Sequence, residues 1–369
     1  MKLFNLVGIA ATLSSLVCMA DSPLKMQAEQ AGVLQYKGKW YQVGDTIFGY
    51  KNYVYVVVGD LQSPLILGVP HDGIGLGDPE IPESGKTGRD LSTHPLSNAV
   101  AALFEADTKL KPWIMVNTIH RKRMDPNTYP RDVDKRYTDP EAKATYESYH
   151  ELLALARKTI AQTQKGGKGG LFLDMHGHAH KYANGNEAPY TSITNGNELY
   201  SHFIHQSEIG YGLSNFSLEQ EDTYLDGIAD SSTIAYLAKA HPDVPFSQII
   251  RGPKSFGGLL QAEGLSAVPS PAIPILDRNQ ELFGGSSTQP RRRPYFNGGY
   301  CTRAYGTSLL GTSPGFDDNI IAMQIETPGI NVRNNARIRE RSSHQLKRAL
   351  ILYLNTWFGY DFPNSPYPY

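Results

Sequence analysis

The chain has 369 residues, with 35 basic and 36 acidic side chains and a net charge of −1. That balance excludes a surface built for nucleic acid or another polyanion. With 40% hydrophobic residues, 35 Gly, 24 Pro and 22 Tyr, the composition excludes a helical bundle and fits a loop-rich α/β enzyme with a sizeable core.

At the N-terminus Lys2 is the sole charge before an apolar run from Leu3 to Val17, and Cys18-Met19-Ala20 then sets small residues ahead of Asp21. This predicts a signal peptide over residues 1–20, cleaved near Ala20, and a secreted or periplasmic mature chain over 21–369. The run is shorter than the ~20 residues that span a bilayer, so no stable membrane insertion is expected after cleavage. Acylation at Cys18 is the alternative, and bulky Val17 before it argues against that. After cleavage only Cys301 remains, which excludes a disulfide within the mature chain.

Residues 33–58 alternate as two or three strands, and 64–69 form a continuous apolar run, as in a strand covered on both faces. Helical spacing follows at 95–106, then a buried strand at 114–119. Asp139-Pro140 opens an amphipathic helix over 139–164, pairing an N-cap residue with proline at the first helical position. A glycine-rich linker leads to a strand at 171–175, and a helix is expected at 231–240. Residues 186–230 and 266–294 read as insertions, 319–326 as a late strand, and 337–357 as a C-terminal helix. Strands alternating with helices predict an α/β fold: a mainly parallel or mixed central sheet flanked by helices, in a single domain with loop insertions.

Such sheets gather functional groups beyond the C-terminal ends of their strands. Three apolar runs end in ionisable residues: one at His71, one at Asp174, His176 and His178, and one at Glu326. A catalytic zinc needs three protein ligands and an open position, which two histidines and a carboxylate satisfy. His71 and His176 are the candidate ligands, His176 being nearer the strand end than His178 or His180. Asp174 shares its face and is placed to accept from a ligand histidine.

Four segments together resemble the N-formylglutamate amidohydrolase family: Val69-Pro70-His71-Asp72-Gly73, Arg123-Met124-Asp125-Pro126-Asn127, Leu173-Asp174-Met175-His176-Gly177 and the run from Asn297 to Gly306. The last is followed by Gln324-Ile325-Glu326 at the family's separation, and the resemblance spans residues 64–333. The pattern is also similar to the zinc-carboxypeptidase (phosphorylase/hydrolase-like) fold. The resemblance implies one zinc per chain on His71, His176 and a carboxylate, with Glu326 as general base. Carboxypeptidases place that carboxylate three residues after the first histidine, where this chain has Ile74. Asp90 matches an acidic position of the amidohydrolase pattern, with Glu80 and Glu83 as alternatives.

The resemblance further implies that Arg123, or Arg121, stands by the developing oxyanion, and that Arg303, with Asn127 and Tyr300, contacts substrate. Thr128 stands where both groups have an arginine, which leaves two alternatives: Arg131, Arg123 or Arg303 substitutes, or the substrate differs. The expected activity is zinc-dependent hydrolysis of an amide bond in an N-acyl amino acid or small peptide, with a zinc carboxypeptidase or peptidoglycan-type peptidase as the alternative enzyme. The expectation from another class is a secreted binding protein that has kept the fold without catalysis.

Overall fold

The computed structural model describes residues 34–164, 167–179, 181–182, 190–191, 198–199, 205–274, 282–283, 290–291, 297–308, 316 and 318–366. The predicted signal peptide, His180, and much of both insertions lie outside the described residues. The chain forms two compact units, Met1–Gln42 and Val43–Tyr369. In the first, β1 (Leu34–Tyr36) and β2 (Lys39–Tyr41) make an antiparallel hairpin with Leu34 opposite Tyr41.

The second unit is built on a sheet of eight strands: β3 (Thr46–Phe48), β4 (Val54–Val57), β5 (Leu65–Val69), β6 (Trp113–Asn117), β7 (Gly170–His178), β8 (Ser207–Gly210), β9 (Ala267–Val268) and β10 (Ile320–Pro328), in the order β9-β8-β10-β7-β5-β6-β4-β3. The four central strands, β10, β7, β5 and β6, run parallel. The edges turn the sheet mixed: β8 is antiparallel to β10, and β4 is antiparallel to both β6 and β3. Further two-residue strands pair outside this sheet.

Every described residue of β5, β6 and β10 is buried, which is why these runs are apolar rather than alternating. The two faces nevertheless receive different partners. Leu65, Leu67, Val69, Leu171, Leu173, Met175, Ile321, Met323 and Ile325 pack into one large cluster with α1 (Thr93–Thr108) and α5 (Ala336–Phe358). The opposite face carries Phe172, Asp174 and His176 on β7 beside Ala322, Gln324 and Glu326 on β10. On that side Phe172 meets Tyr305 of a short helix, α4 (Tyr300–Tyr305). The helices α2 (Pro130–Arg136) and α3 (Pro140–Thr163) lie in the segment between β6 and β7.

Local signals account for the helix ends. Asp139 caps α3 by accepting from the Glu141 and Ala142 amides at 2.8 and 3.1 Å, with Pro140 at the first helical position. Asn335 caps α5 by accepting from Ile338 N at 2.9 Å, and Gly359 closes it in the left-handed conformation. The helix expected over 231–240 is divided into a 3-10 turn, Ala229–Ser231, and a shorter α-helix, Ala235–Ala240. Ser232 and Thr233 separate the two, because their hydroxyls bond main-chain carbonyls of Tyr211 and Ala322. Among the described residues, no helix is long and apolar enough to cross a membrane.

Candidate metal centre

β5 ends at Val69, and two residues later His71 is buried at the C-terminal edge of the sheet. Along β7, Asp174, His176 and His178 point to one face because strand side chains alternate. Glu326 is the direct parallel neighbour of His176. The chain thus brings a histidine, a second histidine and a glutamate to adjacent strand ends without a long loop.

Asp90, in the loop before α1, completes the group. Its Oδ2 lies 3.2 Å from His71 Nδ1 and 3.0 Å from His176 Nδ1, and it accepts from the Gly177 amide at 3.2 Å. The Asp90 amide in turn donates to the His71 carbonyl at 3.2 Å. The two imidazoles meet at 77° with centroids 4.5 Å apart. His71, Asp90 and His176 form a buried group that could hold a metal ion, with one donor atom from each residue all within 4.8 Å of one another.

The chemistry of the donor set fits a cation. Tetrahedral zinc with bonds of about 2.0–2.2 Å spaces its ligand atoms about 3.3–3.6 Å apart, slightly wider than the spacing of Asp90 Oδ2 from each Nδ1. The far nitrogen of each ring is engaged by a second carboxylate: His71 Nε2 is 2.8 Å from Asp125 Oδ1, and His176 Nε2 is 3.0 Å from Asp174 Oδ2. A carboxylate behind a ligand histidine is the usual support of a metal site. The three atoms that face one another, Asp90 Oδ2 and the two Nδ1 atoms, are of the kind and spacing that hold a cation.

Burial opposes charge on His176, yet Asp174 and Asp90 hold its pKa well above the ordinary value. Burial would raise the carboxyls of Asp90 and Asp125. His71 and His176 hold Asp90 well below its usual range, and His71 and Arg121 do the same for Asp125. Glu326 moves the other way. Burial pushes it up to about 7, opposed by His176 and reinforced by Asp90 and Glu208. Its Oε1 is 3.8 Å from His176 Nδ1 and accepts from Gln324 Nε2 at 2.8 Å, while Gln324 Oε1 accepts from the Gly299 amide at 2.6 Å.

The remaining candidates divide. Asn127 Nδ2 is 3.0 Å from His176 Nε2, and its Oδ1 accepts from the Cys301 amide at 2.7 Å, so it ties the back of the ring to α4. Arg303 lies on α4 with a buried Nε that has no hydrogen-bond partner among the described residues. Tyr300 packs against the rings of Tyr129 and His150, at 5.5 and 5.2 Å. Arg123 is not at the centre. Its guanidinium is buried against the Ile81 carbonyl and pairs with Glu80 and Glu83. The arginine at the centre is Arg121, 2.9 Å from Asp125 Oδ2 and 3.6 Å from Asp90 Oδ1. Residues 120–124 form a tight turn, held by Arg123 N on the His120 carbonyl at 2.8 Å, which sends the two guanidinium groups in different directions. Glu80 and Glu83, the alternative ligands, are more than half exposed and engaged by Arg123 and, for Glu83, Lys122. Thr128 is buried, with its hydroxyl 2.9 Å from Tyr137 Oη and accepting from Arg136 Nη1 at 2.8 Å. His178 is directed elsewhere, bonding the Gln206 carbonyl at 2.7 Å.

Sequence reasoning left the role of Asp125 open. Gly68 offers a signal for the space around Asp174. A Cβ there would meet Phe172 at 2.7 Å and Asp174 Oδ1 at 3.1 Å, so a glycine inside a buried strand marks where a neighbouring side chain closes in.

No family model matches the chain, and no curated protein does. Among solved structures, the crystal structure of N-formylglutamate amidohydrolase from Ralstonia eutropha JMP134 aligns over 79% of this chain and 92% of that chain, at 14% identity and a TM-score of 0.37.

Proposed function

We propose that the chain is a secreted or periplasmic, zinc-dependent amidohydrolase of zinc-carboxypeptidase-like fold, cleaving an amide bond in an N-acyl amino acid or small peptide. The observation that carries this reading is the convergence of His71, Asp90 and His176 on one point, each histidine backed by its own aspartate. A ligand histidine usually has its other ring nitrogen held by a carboxylate, and both histidines here have one.

His71, Asp90 and His176 would hold the ion. When bound, zinc activates a water and polarises the scissile carbonyl. The other steps belong to side chains. Glu326, fixed through one oxygen by Gln324, takes a proton from the attacking water and delivers it to the leaving nitrogen. Arg121 is the fixed positive charge nearest the cluster and replaces Arg123 in the role of favouring the developing oxyanion. Arg303, with its unpartnered buried Nε, grips a substrate carboxylate through its planar fork. The leader over residues 1–20 directs export, and cleavage near Ala20 leaves a chain that starts at Asp21.

The test is a hydrolysis screen of N-acyl amino acids against short peptides, with and without chelator. Turnover of at least one of these substrates, lost on chelation and restored by zinc, is expected. Glu326→Gln should retain zinc and lose about 10²- to 10⁴-fold in kcat. Full activity in Glu326→Gln with zinc bound removes the general-base assignment, and hydrolysis indifferent to chelator removes the metal.

A further inference from the structure

Arg333 is 4% exposed and follows β10 in a single π-helical turn, Gly329–Arg333. Among the described residues its side chain makes no hydrogen bond to a carboxylate. Nε donates to the Thr327 carbonyl at 3.1 Å, Nη2 to the His178 carbonyl at 2.9 Å, and Nη1 to the Leu91 carbonyl. These three carbonyls belong to three separate segments. Leu91 follows Asp90, Thr327 follows Glu326, and His178 is two residues beyond His176. One planar guanidinium therefore joins the loop bearing the metal carboxylate, the strand bearing the second histidine and the strand bearing the glutamate. Only arginine offers rigid donors that diverge in this way.

Gly177 shows that the arrangement is built to fit. A Cβ at that position would lie 2.2 Å from Arg333 Cζ and 2.4 Å from Nη2. The guanidinium occupies the space a side chain would take between His176 and His178. A glycine between two strand-end histidines thus has a cause that lies more than 150 residues downstream.

We propose that Arg333 is a positioning residue: it fixes Asp90, His176 and Glu326 relative to one another and thereby sets the affinity of the centre for its cation. The inference rests on the metal-site reading above. It treats the buried cation as a clamp on three backbones. A group that merely held the fold together would affect stability without a specific effect on metal affinity.

The test is zinc affinity of the full chain, by competition with a chromophoric chelator well below each variant's thermal midpoint. Arg333→Met and Gly177→Ala should each weaken zinc about 10- to 100-fold, as loss of outer support does at metal sites. In the double variant Gly177→Ala should add little, because the space it needs has been vacated. Leu350→Ala, in the buried core on α5, should lower the thermal midpoint and bind zinc like the wild type. Should Arg333→Met fail to fold, Gly177→Ala, which keeps the arginine, carries the test. Zinc affinity within twofold of wild type in Arg333→Met or Gly177→Ala overturns the clamp. So do losses that add in the double variant, or an equal loss in Leu350→Ala. A wild-type chain that binds no zinc is a distinct result, which defeats the metal reading together with the clamp.

Discussion

Asp90 is the residue on which the centre turns, because a single oxygen faces both histidines and also accepts from the Gly177 amide. The histidines are then oriented from behind, by Asp125 and Asp174. A neutral amide in either place accepts a hydrogen bond less strongly and polarises the ring less. Asp125→Asn and Asp174→Asn are each expected to weaken zinc by about 10- to 100-fold, read by chelator competition. Arg123→Met is the contrast: it breaks pairs with Glu80 and Glu83, and zinc affinity should stay at the wild-type level. Loss of zinc in Arg123→Met would place that arginine at the centre after all. At this scale the sequence was readable where chemistry coincided with a strand end. His71, Asp174, His176 and Glu326 all follow or close apolar runs, and their direction comes from alternation alone. Arg121 and Arg123 sit in a turn, where alternation has no force, and the two were not told apart. Arg333 had no local signal, since its partners are carbonyls from three distant segments.

Elements meet at the site through His150 on α3. Its Nε2 donates to the Pro126 carbonyl at 3.0 Å, between Asp125 and Asn127, and its Nδ1 is 3.0 Å from the Tyr305 hydroxyl of α4. The His150 and Tyr305 rings stack at 4°. Burial lowers the His150 pKa from 6.5 to about 4. Between those two values the unfolded chain binds a proton that the folded chain refuses, so stability is present above pH 6.5 and is lost as pH falls toward 4. A difference of that size corresponds to about 3 kcal/mol. His150→Gln should therefore show a shallower fall in stability than wild type over this interval, measured by denaturant unfolding at several pH values. Parallel slopes would mean that His150 is charged in the fold. The long helices were legible, α3 from its Asp139-Pro140 start and α5 without its caps being read, as were the central strands from their apolar runs. β8 was not. Ser207-Glu208-Ile209-Gly210 has neither alternation nor a continuous apolar run, and its strand state comes from pairing with β10, where Glu208 stands opposite Glu326. The helix expected over 231–240 divides for a comparable reason, because tertiary bonds to Ser232 and Thr233 outweigh helical spacing.

Over the whole molecule, the parallel core delivers groups from β5, β7 and β10 to one edge of the sheet, and buried carboxylates concentrate there. Asp90, Asp125, Asp174 and Glu326 are all at most 5% exposed. Arg121 stands against two of them, and Arg333 is held by carbonyls. Burying that much negative charge is costly unless a cation neutralises it. The α/β class and the place of the site within it were legible in the sequence, since both follow from strand order and the rule for strand ends. The antiparallel edges depend on which strands become neighbours, and that is decided by pairing across long separations. The most direct test of the account is the metal content of the purified full chain by elemental analysis, wild type beside His71→Ala and His176→Ala. The account predicts about one zinc per chain in the wild type and its loss in both variants with secondary structure retained. A wild-type chain without bound zinc, whose thermal midpoint does not rise on adding zinc, would contradict it.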